Sequence, residues 1–339
     1  MSVRVGVNGF GRIGRNFLRA VIASGADIDV VAVNDLTSPD AHAQLLRYDS
    51  TQGRLAVPVG VDGSDLVVGE RRITVLSERD PAGLRWDDLG VEVVLEATGL
   101  FRSRSKASAH LKGGAERVIV TAPSEDADLT VVIGVNDRAF DPALHHVISN
   151  ASCTTNCFVP MVKVIEDSFG IEGGLMTTVH AYTNDQNLLD LAHRDPRRAR
   201  AAAINIVPNV TGAARATHQV LPEMAGRLDG AAFRVPVACG SVTDFTVVVP
   251  GTIGVEEVNR AFEAASREGP LAAVLDYTED PIVSSDVVGN PASCIFDATL
   301  TLAQPVGERT LVKASGWYDN EWGYSNRLVD LVLLVGRSR

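Results

Sequence analysis

The stretch VRVGVNGFGRIGR, residues 3–15, restricts this chain more than any other. A valine-rich run of strand type stops at Gly9, Gly11 and Gly14, spaced G-x-G-x-x-G. RIGRNFLRAVIASG then switches to helical spacing, with Ile13, Phe17 and Val21 on one face and a stop at Gly25. Next comes DIDVVAVND, a second buried strand ending on Asp35, about 20 residues past the last glycine. A bare glycine triplet would be only a strand-to-helix turn. Strand, triplet, helix, strand and acid together are the fingerprint of a dinucleotide-binding βαβ unit. Glycines permit the tight turn and close backbone approach, and the helix N-terminus offers free N–H groups and a positive dipole end to a pyrophosphate. Asp35 would accept from the adenosine ribose diol and repel a 2′-phosphate, so NAD is expected over NADP. Arg12 either pairs with phosphate or is a solvated residue at the helix start.

At 339 residues the chain is long enough for about two domains. The runs EVVLEATG, RVIVTAP, LTVVIGVN and HHVIS continue the strand pattern, with helical or turn material such as SKASAHLKGGA between them. This predicts an α/β, Rossmann-type parallel sheet domain over residues 1–152. After residue 152 the runs LMTTVHAYT, GAAFRVPV, DFTVVVP, CIFDATLTLA and TLVKASGWY are longer, alternating and threonine-rich. They predict an α+β catalytic domain over 153–319 with a mixed, largely antiparallel sheet. The last segment, 320–339, carries Leu328, Leu331, Val332 and Val335 at helical spacing and is expected to dock back on the first domain. A net charge of −11 repels a phosphate backbone, so nucleic-acid binding would need a local basic patch, for which HRDPRRAR is the one candidate. The N-terminus lacks the pattern of a secretory signal, and LVDLVLLV is far short of a membrane span. A cytoplasmic protein with no membrane partner is expected, and its four cysteines do not make a disulfide framework.

Two of those cysteines stand in ISNASCTTNC, residues 148–157. HHVIS followed by NASCTTNCFVPMVKVIEDSFG reads as strand, loop and a helix whose apolar face holds Phe158, Met161, Val162, Ile165 and Phe169. Cys153 then lies near the helix N-terminus, where the dipole and unpaired N–H groups are expected to favour a thiolate. Ser152, Thr154 and Thr155 add donors suited to an oxyanion or phosphate. Cys157, one turn on, reads as a small buried hydrophobe, and Pro160 should bend the helix. A zinc site would need further ligands at close spacing, and His145 and His146 are the only neighbours, so no metal is expected. A nucleophilic cysteine needs a base. Of the seven candidates His42, His110, His145, His146, His180, His193 and His218, His180 sits in the strand MTTVHAYTND on a face with Met176, Thr178 and Tyr182, a rigid element that could aim it at the thiol. By spacing alone it is either that base or a satisfied core histidine.

The segments NGFGRIGR, VNDL, YDS, ERDP, ATGLF, TAPS, HHVISNASCTTNC, MTTVHAYTNDQ, RRARAAA, TGAA, LPE, FRVP and SGWYDNEWGYS occur in order from residue 3 to about 330. Together they resemble the phosphorylating glyceraldehyde-3-phosphate dehydrogenases. The resemblance implies oxidation of glyceraldehyde 3-phosphate by NAD through a Cys153 hemithioacetal and thioester, with His180 as base and inorganic phosphate as acceptor. For the cofactor it implies Asn8, Gly9, Gly11, Arg12, Ile13, Asp35, Arg79 near the adenine, Thr98, Gly99, Thr121, and Asn320 on the nicotinamide carboxamide. For the two anion sites it implies Ser152, Thr154, Thr183, Arg198, Thr211, Gly212 and Arg234, a set of hydroxyls, backbone donors and guanidinium forks. It also places HRDPRRAR in an S-shaped loop at subunit contacts, which removes the nucleic-acid reading and implies a homotetramer.

Some positions depart from the family pattern. Asp35 followed by Leu36 resembles the NAD-specific members, but Ala192 and Pro196 in the S-shaped loop differ from them and leave some NADP use open. PNVTG holds Asn209 and Val210, ARATHQVLPE holds Arg215 and His218, and VACGSVTD holds Ala238 and Cys239. These changes are expected to cluster around the inorganic-phosphate site. They mark either neutral drift or an isozyme whose pocket excludes an electrophilic antibiotic aimed at Cys153. The other readings are an erythrose-4-phosphate dehydrogenase, a group that lacks HAYTNDQ, and a non-catalytic regulatory paralogue, against which Cys153, His180, Arg198 and Arg234 stand.

Overall fold

A computed structural model describes residues 2–337, so Ser338 and Arg339 of the expected C-terminal segment lie outside the described residues. The chain forms two compact units. One holds the residues up to Val131, Asp137–Ser152 and the segment from Ser325; the other holds Val132–Asn136 and Cys153–Tyr324.

The first unit is built on a nine-stranded sheet. Its central strand Val3–Asn8 pairs parallel with Ile28–Asn34 on one edge and with Val93–Glu96 on the other. Beyond Val93–Glu96 come Arg117–Val120, Val147–Ser149 and Leu129–Thr130, all parallel. Beyond Ile28–Asn34 comes Arg71–Leu76, also parallel, and then the antiparallel hairpin Val59–Asp62 with Asp65–Val68. The strand order reverses at Val3–Asn8, and ligands of open α/β sheets bind in the crevice at the carboxyl ends of the strands there. Val5, Val7, Val94 and Leu95 are wholly buried, as strands covered on both faces require. Trp86 fills the space over Gly6, where an added Cβ would fall 2.5 Å from the indole and where the pairing with Ile28–Asn34 shifts register.

LTVVIGVN does not run on as one strand. Only Leu129–Thr130 pairs; the chain then turns, because the Asn136 side chain accepts from Val132 N and the Val132 carbonyl accepts from Val135 N and Asn136 N. Gly134, at φ 84°, permits that turn.

The second unit carries an eight-stranded mixed sheet in the order Val207–Val210, Leu228–Val235, Gly173–Ala181, Ser241–Pro250, Arg309–Tyr318, Cys294–Asp297 and Leu275–Thr278, with Leu302–Val306 also on Arg309–Tyr318. Most pairs are antiparallel, but Gly173–Ala181 runs parallel to Leu228–Val235. CIFDATLTLA is therefore not one strand. Asp297 accepts from Thr299 N and Oγ1, and the tight turn Ala298–Leu300 separates two short strands. The helix Cys153–Phe169 passes through Pro160 and buries Phe158 edge-on against Phe245 at a centroid distance of 4.8 Å. It lies close to the strand Arg309–Tyr318 because Gly316 has no side chain: a Cβ there would meet Cys294 Sγ at 2.6 Å and Met161 Sδ at 2.7 Å. Cys157 is buried, with its sulfur 3.5 Å from the Gly316 carbonyl.

The last helix, Trp322–Arg337, buries Leu328, Leu331, Val332 and Val335. Gly336 permits its approach to Val3, whose methyls lie 2.5 Å from where a Cβ would be.

Gly9 combines φ 95° with an added-Cβ distance of 2.6 Å to Thr98 N, so an alanine there meets strain and backbone together. Gly9→Ala is expected to lower stability by at least about 2 kcal/mol in urea unfolding.

Candidate active site

At the carboxyl ends of the first unit's strands, the glycine loop is shaped for a ligand. Gly14 lies against the Gly9 carbonyl, 2.4 Å from the position of a Cβ, while Gly11 faces open space. The helix Arg12–Ser24 begins with no side-chain cap and no acid in its first turn, leaving its first N–H groups for an anion. Asp35 is tied to this loop: Phe10 N donates to Oδ2 at 2.9 Å and Thr37 N to Oδ1 at 3.2 Å. Asn8 joins Asn34 and Glu96, with Asn34 Nδ2 donating to Asn8 Oδ1 at 2.7 Å and Asn8 Nδ2 to Glu96 Oε2 at 2.6 Å. Thr98 N donates to Glu96 Oε1 at 2.9 Å. Gly99 turns at φ 72° with nothing against it, and Thr121 N bonds the Glu96 carbonyl. Ile13 is half-buried and Arg79 exposed.

The Arg12 side chain, at the helix start and 27% exposed, is held by an acid. Its guanidinium forks onto Asp49, 3.1 Å to each oxygen, and reaches Thr51 Oγ1 at 2.6 Å. Burial of Asp49 opposes its ionisation, but the bonds from Arg12, Gln52 N and Thr51 outweigh that and hold the carboxyl far below its usual range. Arg12 is thus an ordering residue beneath the loop.

The turn from the strand Val147–Ser149 into the helix at Cys153 passes through Ala151 at φ 54°, the one non-glycine residue with positive φ among the described residues. Ala151 N donates to Ser149 Oγ at 3.0 Å, which supports this strained conformation. Ser152 is half-buried and belongs to the first unit.

In the second unit Cys153 is the first residue of its helix, and its sulfur lies 3.3 Å from His180 Nε2. The burial alternation of Gly173–Ala181 puts Met176, Thr178 and His180 on the covered face. Parallel pairing sets Arg234 directly beside His180. Arg234 Nη1 lies 2.7 Å from His180 Nδ1, 3.0 Å from the Ala181 carbonyl and 3.5 Å from Thr183 Oγ1. The Ala181 carbonyl is also 2.6 Å from Nδ1. Since that carbonyl can only accept and Arg234 can only donate, Nδ1 can serve one of them at a time. With the proton on Nδ1, the Nε2 lone pair faces the thiol as a base. With Arg234 donating to Nδ1, Nε2–H faces the sulfur, as suits a thiolate.

The expected lowering of the thiol's proton affinity is not what the surroundings produce. Desolvation pushes Cys153 up, and Arg234 and the amide and hydroxyl of Thr154 offset this only in part. Burial and then Arg234 push His180 down to about 3. Burial thus favours the neutral form of both the thiol and the imidazole. Thr154 Oγ1 lies 2.9 Å from Tyr318 OH, itself 2.8 Å from Thr178 Oγ1.

Arg198 lies within electrostatic reach of Arg234: burial and then the Arg234 charge lower its pKa. It pairs with Asp185 and with Asp195 at 3.6 Å, and donates twice to Asn209 Oδ1, at 3.2 and 2.8 Å. Thr211 Oγ1 accepts from Ala213 N at 3.1 Å, and Gly212 faces open space. Asn320 Oδ1 accepts from Gly240 N at 3.2 Å and Ser241 Oγ at 3.0 Å, so its NH₂ is the end left to face a ligand.

The family departures do not cluster as expected. Asn209 touches Arg198, and Val210 is exposed. His218 is exposed with Arg215 at a surface groove of about 970 Å³ that also includes Leu175, Asp229 and Leu311. Cys239 is buried and donates to Asp319 Oδ1 at 3.1 Å, beside Asn320.

Among the described residues no group of three or more His, Cys, Asp or Glu side chains could hold a metal ion. No helix among them is long and apolar enough to cross a membrane.

The model of the glyceraldehyde 3-phosphate dehydrogenase NAD binding domain matches residues 3–104, and that of the C-terminal domain of the same family matches 152–320. The chain belongs to the glyceraldehyde-3-phosphate dehydrogenase family. It is 56% identical over 336 residues to a glyceraldehyde-3-phosphate dehydrogenase of Streptomyces coelicolor, covering 99% of each chain. It is likewise 56% identical over 332 residues to one of Kitasatospora aureofaciens, covering 98% of each, and 56% identical over 344 residues to one of Mycobacterium tuberculosis, covering 100% of each. The family accounts for an NAD site at the glycine loop, which the uncapped helix, the open space at Gly11 and the acid at Asp35 fit.

Glu96 was not singled out by sequence reasoning, although an acid ending the apolar run VEVVLE was its signal. Arg234 is the cation that opposes the desolvation of Cys153 and also depresses His180. Arg234→Leu is expected to move the pH profile of Cys153 alkylation by iodoacetamide to higher pH, slowing the reaction at pH 7 about tenfold, while His180 becomes easier to protonate.

Proposed function

We propose that this chain is an NAD-dependent, phosphorylating glyceraldehyde-3-phosphate dehydrogenase, with the first unit binding NAD and the second carrying the chemistry. The observation that carries the reading is Cys153 at a helix start, 3.3 Å from His180, with Arg234 beside both. Residues 1–152 with the C-terminal segment from 320 are assigned to the nucleotide domain, and 153–319 to the catalytic domain, bounds close to the two compact units.

His180 Nε2 takes the thiol proton as Cys153 Sγ bonds to the aldehyde carbon and passes it to the carbonyl oxygen, giving a neutral hemithioacetal and restoring the free imidazole. The first-turn N–H groups of the helix face the developing oxyanion. NAD, held by the glycine loop and Asp35, would supply the hydride acceptor for that carbon. His180 removes the hydroxyl proton as the carbonyl re-forms, leaving a thioester on Cys153. An oxygen of inorganic phosphate then attacks the carbonyl carbon, and the Cys153–carbon bond breaks to release 1,3-bisphosphoglycerate. Burial and Arg234 keep the imidazole unprotonated at rest, so its Nε2 lone pair is open to the thiol proton when Nδ1–H is bonded to the Ala181 carbonyl, although the same shift makes it a weak base. Arg234 and Thr183 hold one anion, and Arg198, Thr211, Gly212, Ser152 and the Thr154 backbone complete the two anion sites. Arg198 must exchange Asp185 for a phosphate, so anion binding there competes with an ion pair. Asn320 presents its NH₂ to the nicotinamide carboxamide, Asp35 holds the adenosine ribose, and Arg79, Thr98, Gly99 and Thr121 line the remainder.

A homotetramer in the cytoplasm is the assembly proposed. Leu188, Leu189, Leu191, Ile204 and Ile206 are each more than 65% exposed, which favours cover by a second copy. The antibiotic-resistant isozyme reading now rests on Asn209, the departure that contacts an anion-site arginine.

The protein is expected to form NADH from glyceraldehyde 3-phosphate only with phosphate present and to turn over erythrose 4-phosphate more slowly. Absence of both NADH formation and Cys153 labelling by iodoacetate would favour the regulatory paralogue. His180→Asn should lower kcat on the order of 10²–10⁴-fold, and Asp35→Ala should raise the NADP-to-NAD rate ratio. Sedimentation should give a tetramer. Inactivation by a cysteine-directed epoxide should be slower than for an ordinary isozyme and faster after Asn209→Ser; equal rates would remove the resistance reading.

A further inference from the structure

Glu96 takes no part in the reaction above, yet three ligand-facing segments of the first unit meet on its carboxylate. It ends the strand Val93–Glu96, directly opposite Asn8, and its side chain is 1% exposed. Oε1 accepts from Thr98 N at 2.9 Å and from Thr98 Oγ1. Oε2 accepts from Asn8 Nδ2 at 2.6 Å and faces His110 Nε2 at 3.0 Å.

The fully buried His110 has one tautomer that fits. Trp86 Nε1–H can only donate, and it points at His110 Nδ1 from 3.0 Å. Nδ1 therefore accepts, the proton sits on Nε2, and Nε2–H donates to Glu96. Both carboxylate oxygens are then filled by donors on two sides. An amide in its place would turn its NH₂ toward either Thr98 N–H or Asn8 Nδ2, both donors.

Two of the partners of Glu96, Thr98 and Asn8, lead to the crevice. Thr98 Oγ1 also accepts from Leu100 N at 3.1 Å, which sets the turn through Gly99. Thr98 itself lies against Gly9, whose missing Cβ leaves 2.6 Å to Thr98 N. Asn8 precedes Gly9 in the chain and takes a bond from Asn34, which precedes Asp35. The glycine loop, the ribose acid and the turn at 98–100 thus share one buried anchor.

We propose that Glu96, oriented by His110 and through it by Trp86, is a positioning residue for dinucleotide binding, acting through Asn8 and Thr98. The proposal rests on the reading of this crevice as the NAD site. A hydrogen-bonded carboxylate without a partner cation is a costly thing to bury, and the pre-shaped backbone at Gly9 and Gly99 is what it supports.

The test is Glu96→Gln, nearly equal in volume, with NAD binding measured by calorimetry on the full-length protein alongside steady-state kinetics. One amide NH₂ must face donors, so the dissociation constant and KM for NAD should rise about tenfold or more. The KM values for glyceraldehyde 3-phosphate and phosphate should stay within about twofold, and iodoacetamide should alkylate Cys153 of the NAD-free variant at the parental rate. Thr98→Val, which removes one bond to Glu96 at a half-buried position, should raise the NAD dissociation constant about threefold and gives the answer if Glu96→Gln does not fold. Parental NAD affinity in a folded Glu96→Gln, or in Thr98→Val, overturns the proposal. So does a parallel loss of NAD affinity, both other KM values and Cys153 reactivity, the pattern of a purely structural residue. Failure of the parental protein to bind NAD would instead remove the reading of the crevice.

Discussion

Parallel strand pairing is the constraint on which both halves of the site depend. Parallel neighbours align their carboxyl ends, so residues far apart in sequence emerge side by side at one edge. In the first unit this brings Asn8, Asn34 and Glu96 to one line above the central strand, with Gly9, Asp35 and Thr98 just beyond them. In the second, the pairing of Gly173–Ala181 with Leu228–Val235 sets Arg234 next to His180 in an otherwise mostly antiparallel sheet. A slip of one residue in either ladder would turn these side chains to the opposite face.

Desolvation then decides the resting chemistry. Burial favours the neutral form of both thiol and imidazole, and Arg234 acts on them with opposite consequence, easing loss of the thiol proton while hindering protonation of the ring. The nucleophile is held in reserve by its surroundings. Its proton has a base 3.3 Å away, and the helix N-terminus offers its stabilisation when negative charge develops. Ala151, at a positive φ of 54°, turns the chain into that helix.

The fold was legible where local pattern and burial agree. The βαβ start, the buried valine strands and the helix at Cys153 follow from periodicity, glycine spacing and capping. LTVVIGVN and CIFDATLTLA misled because Asn136 and Asp297 bind backbone amides in turns, a competition that hydrophobic pattern does not register. Among site residues, the glycine loop, Asp35 and Cys153 announce themselves by position relative to an element. His180 did not, since a strand histidine reads equally as core. Arg12 was ambiguous until Asp49 was seen to take its guanidinium, and Cys239 appeared to border a phosphate site until it was found donating to Asp319.

What the sequence alone determined is the set of local devices: a turn only glycine can make at Gly9, an uncapped helix N-terminus, a thiol on the first turn of another helix, and a carboxylate ending a strand. Each is set by a few consecutive residues whose backbone geometry is governed by sterics and hydrogen bonding within that span. Which side chains these devices face, and with what protonation, was decided only by tertiary structure. The choice of Glu96 as anchor, the partnership of His180 with Arg234, the diversion of Arg12 to Asp49 and the neutral state of Cys153 all arise from contacts between distant segments. Electrostatic energies depend on distance and on the exclusion of water, and both are properties of packed neighbours rather than of order along the chain.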